Sequence, residues 1–128
     1  MGFYLEKQKT TSTPYVLVDE SKSYMKMHGK SFPEKPLEFF SAVNIWLDSY
    51  LTTDFRTLVF DFALEYYNSS TLKVIMNMML KMDKYSIGGN KIIINWIAEE
   101  DDIIMIESGE DLQEDMGNLE FNVVIAGE

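Results

Sequence analysis

Cysteine is absent from the 128 residues of this chain. Its absence excludes disulfide bonds, thiolate metal ligands and a cysteine nucleophile. His28 is the single histidine, which is too few for a histidine-rich metal site. The chain also lacks any apolar run of about 18 residues, the length of a membrane helix, and it begins without an apolar stretch of signal-peptide length. We therefore expect a cytoplasmic protein with no membrane insertion.

Basic residues are scarce as well. The chain has 11 Lys and Arg residues and 21 Asp and Glu residues, which gives a formal net charge of −10. Such a surface repels the phosphates of nucleic acids and anionic membranes. Nucleic acid is therefore excluded as a partner, and a protein with a basic face fits better.

The order of periodic segments predicts an α/β fold in the pattern β-β-α-β-α-β-α-β. We expect a mixed sheet of about five strands with about three helices packed on it. Right-handed crossovers would make the later strands parallel. Residues 1–12 are interpreted as a polar lead-in and residues 13–128 as one domain. The predicted strands cover 15–19, 23–28, 58–67, 92–97 and 121–125. The first predicted helix contains Phe40 to Leu51, and the second starts near Leu72 and ends at Gly88-Gly89-Asn90. A third, weaker helical pattern runs to Asp115.

Hydroxyl side chains crowd the point where the strand pattern 58–67 gives way to a helical pattern. Asn68, Ser69, Ser70 and Thr71 stand there in succession. Such residues cap helices by accepting the free N–H groups of the first turn, which is worth about 1 kcal/mol. The same N–H groups and the helix dipole also favour a bound phosphate. From these residues alone, an ordinary cap and a phosphorylation site both remain open.

The helix after this junction carries a cluster of methionines and a polar stripe. Met76 and Met79 lie on its predicted apolar face, whereas Met78 lies off that face and could offer an adaptable contact to a partner. The polar stripe is interpreted as a solvated face or as a docking strip for an acidic partner or a phosphate; it contains Lys73, Asn77, Lys81 and Lys84.

Two acidic segments, Glu99 to Asp102 and Glu107 to Asp115, come later in the chain. They lack the ligand spacing of a calcium loop, and solvated acid is the simplest interpretation. A small metal-dependent hydrolase that uses Glu99 to Asp102 is one alternative function. A structural subunit that binds its partner constitutively is another.

Five segments in the same order resemble the SiaC family of bacterial regulatory phosphoproteins, from about Thr13 to the C-terminus. They are Gly29 to Glu34, the helix with Phe40, Trp46 and Tyr50, the strand end Tyr66 to Ser70, then Trp96, and finally Glu107 to Asp111. That family is similar in fold to the STAS domains of anti-sigma-factor antagonists.

The resemblance implies a switch protein without catalytic residues, metal or cofactor. In those STAS domains a partner kinase phosphorylates a hydroxyl at a strand-to-helix junction, and a PP2C-like phosphatase removes the phosphate. The resemblance implies the same cycle for this chain, with a kinase of the histidine-kinase-like ATPase fold. In the characterised signalling branch of the SiaC family, the unphosphorylated form binds and activates a diguanylate cyclase, whereas the phosphorylated form does not. By position Ser69 matches the phosphoacceptor, which is usually threonine, and Ser70 is the second choice.

The junction and the matching motifs also define the side chains expected to contact partners. These are Asn68, Ser70, Thr71, Lys73 and Met78 around the junction, together with Glu34, Glu107, Glu110 and Asp111.

Overall fold

Across residues 2–52, 56–87 and 90–127, which the computed structural model describes, six β-strands form one sheet. Each strand lies beside the next strand of the chain. The strands are β1 (Tyr4–Lys7), β2 (Tyr15–Asp19), β3 (Tyr24–Ser31), β4 (Thr57–Tyr67), β5 (Lys91–Glu99) and β6 (Glu120–Ala126).

The same described ranges contain four α-helices and a short 3-10 turn, Glu20–Lys22, between β2 and β3. The helices are α1 (Pro36–Phe39), α2 (Ser41–Tyr50), α3 (Ser69–Ser86) and α4 (Ile103–Asp115). Pro36 occupies the first position of α1, where its missing N–H costs nothing.

The strands from β3 to β6 are parallel, and β1 and β2 are antiparallel to their neighbours. Because every crossover moves in the same direction across the sheet, the right-handed rule places the helices on one face. Alternate strand residues such as Phe60, Phe62, Ile94 and Trp96 are buried beneath these helices. The predicted α/β class, the parallel later strands and the helix packing are confirmed.

The structure has one strand and one helix more than the predicted numbers. The extra strand, β1, lies inside the segment 1–12 that was interpreted as a lead-in, where no strand was predicted. It has only four residues and pairs Leu5 with Val18 at the edge of the sheet. The Lys7 ammonium fixes it further by donating to the Phe39 carbonyl at 2.9 Å. So short an edge strand depends on these distant partners and has little periodicity of its own.

A row of hydrogen-bonded polar side chains crosses the sheet on the face opposite the helices. The Tyr24 hydroxyl donates to Asp61 Oδ2 at 2.7 Å, and the Asn95 amide donates to Asp61 Oδ1 at 2.9 Å. The Asn122 amide continues the row by donating to Asn95 Oδ1 at 3.0 Å. The row thus links β3, β4, β5 and β6 through side chains as well as backbone.

Helix α3 ends at Ser86, close to the predicted end. Of the three residues predicted to end it, Gly88 and Gly89 lie outside the described residues. Asn90 tolerates a left-handed backbone but does not adopt one, because in the described part of the chain Ser23 is the non-glycine residue with positive φ. Asn90 instead has a buried side chain that joins three segments: Oδ1 accepts from Arg56 N–H, and Nδ2 donates to the carbonyls of Thr52 and Tyr85.

Asp83 on α3 holds the turn that leads into β6. Its carboxylate accepts the backbone N–H groups of Gly117, Asn118 and Leu119. Burial alone would raise the pKa of Asp83, but these hydrogen bonds outweigh burial and lower the pKa below its ordinary value. The charged carboxylate is therefore the form that stabilises this turn.

Because the folded pKa of Asp83 is lowered, its stabilisation exists above the unfolded pKa and is lost as pH falls through the folded pKa. We expect Asp83→Asn to lower the free energy of unfolding by about 1 kcal/mol at pH 7. The difference from wild type should shrink below the ordinary pKa of 3.8. Urea unfolding at neutral and acidic pH measures both values. Asp101→Asn removes an exposed carboxylate as the control, and an equal effect of Asp83→Asn at both pH values would contradict the assignment.

Candidate functional site

The predicted junction lies where β4 ends at Tyr67 and α3 begins at Ser69. Asn68 is the cap: its side-chain Oδ1 accepts the Thr71 N–H at 2.9 Å, and its carbonyl accepts the Leu72 N–H at 3.0 Å. The Asn68 N–H donates to the Ser31 carbonyl at 3.1 Å, which ties the junction to the end of β3. The predicted capped helix start is confirmed.

Thr71 anchors the junction from inside the protein. Its hydroxyl donates to the Ser31 carbonyl at 3.1 Å and lies 3.0 Å from the Ser31 hydroxyl. Both side chains have 0% exposure. The prediction that Thr71 contacts partners is therefore wrong for this conformation, because its hydroxyl is used within the fold. This buried pair holds the first turn of α3 against β3.

Ser69 and Ser70 are exposed at the first two positions of α3, and Lys73 is exposed one turn later. The N–H groups at the first positions of a helix have no intrahelical acceptor. Ser69 therefore combines an accessible hydroxyl, free backbone donors and the positive end of the helix dipole. A phosphate on this hydroxyl would be accommodated without disturbing the buried anchor at Thr71.

Met78 does not lie on the surface. Its side chain has 0% exposure, and Val74, one turn earlier, has 4%. The apolar spacing predicts a buried stripe of Leu72, Ile75, Met76, Met79 and Leu80. The observed stripe is displaced by one residue toward the N-terminus, which leaves Leu80 47% exposed. The prediction that Met78 forms a partner contact is wrong, because this residue belongs to the core.

Two aromatic side chains beside the junction were missed as site residues. Phe32 and Tyr66 form an edge-to-face pair with ring centroids 5.9 Å apart, and they remain 40% and 50% exposed. The parallel pairing of β3 with β4 sets Ser31 opposite Tyr67 and so brings Phe32 to this position. The sequence signal that could have identified them is their place in the segments that resemble the SiaC family, Gly29 to Glu34 and Tyr66 to Ser70. They add an apolar contact surface next to Ser69.

The predicted acidic contacts lie around the junction rather than in one cluster. Glu34 is exposed in the loop before α1, and Glu107, Glu110 and Asp111 are exposed on α4. Asp111 lines a cavity of about 150 Å³ between α3 and α4. Contacts of all four with a partner stay a prediction.

Two of the resembling segments meet at Gly109, which lies against Trp96. The Trp96 indole N–H donates to the Met105 carbonyl at 2.9 Å and lies against α4. A methyl group on Gly109 would stand 2.8 Å from Trp96 Nε1, closer than van der Waals contact allows. The glycine therefore lets α4 approach β5 and present Glu107, Glu110 and Asp111 on its outer side.

The described residues contain no group of three or more His, Asp or Glu side chains arranged to hold a metal ion. The acidic segment Glu99 to Asp102 thus gives the metal-dependent alternative no geometric support. In this part of the chain, no helix is long and apolar enough to cross a membrane.

Comparisons with known proteins agree with this geometry. The sequence model of the family described as SiaC family regulatory phosphoprotein matches residues 7–126 of this chain. SiaC of Pseudomonas aeruginosa superimposes with a TM-score of 0.87 at 26% identity, with 97% of this chain and 99% of that chain covered. A chain in the crystal structure of diguanylate cyclase SiaD with its activator SiaC, also from that organism, gives a TM-score of 0.85 at 28% identity, with coverage of 94% and 97%.

A relative known from sequence comes from the same species. It is an uncharacterised protein of Pseudomonas aeruginosa strain UCBPP-PA14, 29% identical over 106 residues, which are 83% of this chain and 84% of that protein. The family match covers nearly the whole fold, including the Ser69 junction and the Trp96–Gly109 contact. This chain belongs to the SiaC family of regulatory phosphoproteins.

Proposed function

We propose that this chain is a signalling switch that is reversibly phosphorylated on Ser69. A partner kinase of the histidine-kinase-like ATPase fold transfers the γ-phosphoryl group of ATP to Ser69 Oγ, which loses its proton, and ADP leaves. A PP2C-like phosphatase hydrolyses the phosphoserine. The observation that carries the proposal is the exposed Ser69 hydroxyl at the start of α3. The buried Ser31–Thr71 pair holds this first turn of the helix against β3.

The output of the switch is binding to a diguanylate cyclase. The support for this step is the likeness to SiaC, which is called the activator of SiaD in their complex. A phosphate adds about −1.5 to −2 charges at neutral pH. A partner that buries the neutral Ser69 hydroxyl would have to desolvate that charge, so phosphorylation weakens the complex while the fold persists.

We also infer that the chain itself is not an enzyme. Two observations support this: the family consists of regulatory phosphoproteins, and the acidic side chains Glu99, Glu100 and Asp101 are exposed to solvent. A metal-dependent hydrolase would instead be stabilised by its divalent ion. Thermal unfolding with and without magnesium, manganese or zinc distinguishes the two functions.

Phosphoryl transfer tests the site directly. We expect wild type to gain one phosphate from the partner kinase and ATP, Ser69→Ala to gain none, and Ser70→Ala to be modified like wild type. Intact mass and fragment mapping measure the product, and circular dichroism checks that each variant is folded. Both serines are exposed, so the two variants are matched. Phosphate mapped to a residue other than Ser69 would overturn the assignment.

A further inference from the structure

A groove runs along α3, between this helix and the segment formed by α1 and α2. It consists of two cavities of about 500 and 350 Å³ that share Leu37, Val74 and Asn77 in their walls. One end reaches Ser70 at the start of α3, and the other reaches Lys84 near its end. The groove thus begins beside the candidate phosphorylation site and extends for about four helical turns.

Aliphatic side chains on both walls of this groove are exposed. Leu37 on α1 is 71% exposed and Leu80 on α3 is 47% exposed, whereas Val74 between them is 4% exposed. Covering two such side chains would remove a substantial apolar area from water. Exposed apolar walls around a recess are typical of a surface that binds another chain.

The charge of the groove is opposite to that of the protein. Lys73, Lys81 and Lys84 line it, although the chain has a net charge of −10. Lys81 pairs with Asp48 at 2.9 Å, but Lys73 and Lys84 form no ion pair with any residue that the structure describes. Of the acidic groups nearby, Asp48 is occupied by Lys81, and Glu38 on α1 lies 4.0 Å from Lys35.

We propose that the groove binds a short segment of the output partner, the proposed diguanylate cyclase. This segment is acidic and carries aliphatic side chains. The aliphatic groups fill the recess between Leu37 and Leu80, and the carboxylates pair with Lys73 and Lys84. The remaining surface of this acidic chain repels the same segment, so charge complementarity selects the groove.

The regulation of this docking rests on the proposed function. A phosphate on Ser69 places its charge at the Ser70 end of the groove, next to Lys73. There it competes for the lysine and repels the carboxylates of the partner segment. Phosphorylation therefore weakens docking through charge at the groove entrance, without rearrangement of α3.

Nuclear magnetic resonance titration of the unmodified, isotope-labelled protein tests docking. The probe is a synthetic peptide of leucine and glutamate; peptides of equal length made of leucine and lysine or of serine and glutamate are the comparisons. We expect only the first to shift the amide signals of Leu37, Asn77, Leu80 and Lys84. Raising the salt concentration should weaken binding, because exposed charges are screened beyond about 8 Å at physiological ionic strength.

The double variant Lys73→Glu, Lys84→Glu should bind the probe about tenfold more weakly. Lys22→Glu, which reverses an exposed lysine outside the groove, should bind it like wild type. No binding at millimolar peptide, equal binding of the leucine and lysine peptide, or shifts confined to the opposite sheet face would each overturn the proposal.

The phosphorylated protein, titrated with the same peptide, tests the regulation. We expect its affinity to fall at least severalfold below that of the unmodified protein. Unchanged affinity would overturn the regulation while docking stands. Failure of the kinase to modify Ser69 would overturn the proposed function but not the docking result, which is measured without phosphate.

Discussion

Replacement of Gly109 by alanine is expected to lower the free energy of unfolding by about 2 kcal/mol. In an ordinary helix this change would stabilise the protein by about 1 kcal/mol. Here the new methyl group would enter the buried Trp96 indole, which is 1% exposed and fixed by its hydrogen bond to Met105. The clash needs α4 to move away from β5, so packing outweighs helix propensity.

Urea unfolding of Gly109→Ala measures this loss. Gly117→Ala is the control for an added methyl group without a clash, because no atom outside residues 116–118 lies within 4 Å of the position that the methyl group would occupy. In a Trp96→Ala background, Gly109→Ala should cost less than in wild type, since the ring atoms that the new methyl group would meet are gone. If the single Gly109→Ala variant is as stable as wild type, α4 can move away from β5 without a loss of stability, and the prediction is wrong.

Replacement of Asn90 by alanine is expected to cost about 3 kcal/mol. Asn90 is 4% exposed, and its amide makes three hydrogen bonds to backbone groups. These bonds join the end of α3 to the segment between α2 and β4. The variant loses all three bonds at once, each worth about 1 kcal/mol.

The loss is measured by urea unfolding, with Asn77→Ala as the control for an exposed asparagine on α3. Asn90→Asp separates the two kinds of bond, because it keeps an acceptor for Arg56 N–H but loses both donors. It should also be destabilised. If Asn90→Ala matches the small effect of Asn77→Ala, the three bonds do not hold these segments together.

Much of the fold follows from local patterns in the sequence. The alternation from Leu58 to Tyr67 predicts β4, and the change of period near Leu72 predicts α3, which begins three residues earlier at Ser69. Helical crossovers between consecutive strands then make the later strands parallel, and their handedness places the helices on one face. Strand β1 could not be predicted in this way, because its four residues depend on pairing with β2 and on the contact of Lys7 with Phe39.

The candidate site shows the same division between local and distant causes. Asn68 as a cap and Ser69 as an exposed hydroxyl follow from a few adjacent residues. The burial of Thr71 does not, because its partner Ser31 lies 40 residues earlier in the chain. The burial of Met78 does not follow from adjacent residues either. Elements distant in the chain determine which stripe of α3 is buried, and that stripe differs from the predicted one by one residue.

The polar row on the open face of the sheet fixes the register of the parallel strands. Asp61, Asn95 and Asn122 stand directly opposite one another in β4, β5 and β6. A slip of one residue in β5 would turn Asn95 toward the core and expose Ile94, which is fully buried in the native pairing. Because mostly apolar strands can pair in several ways, one asparagine or aspartate in each strand distinguishes the native alignment from its neighbours.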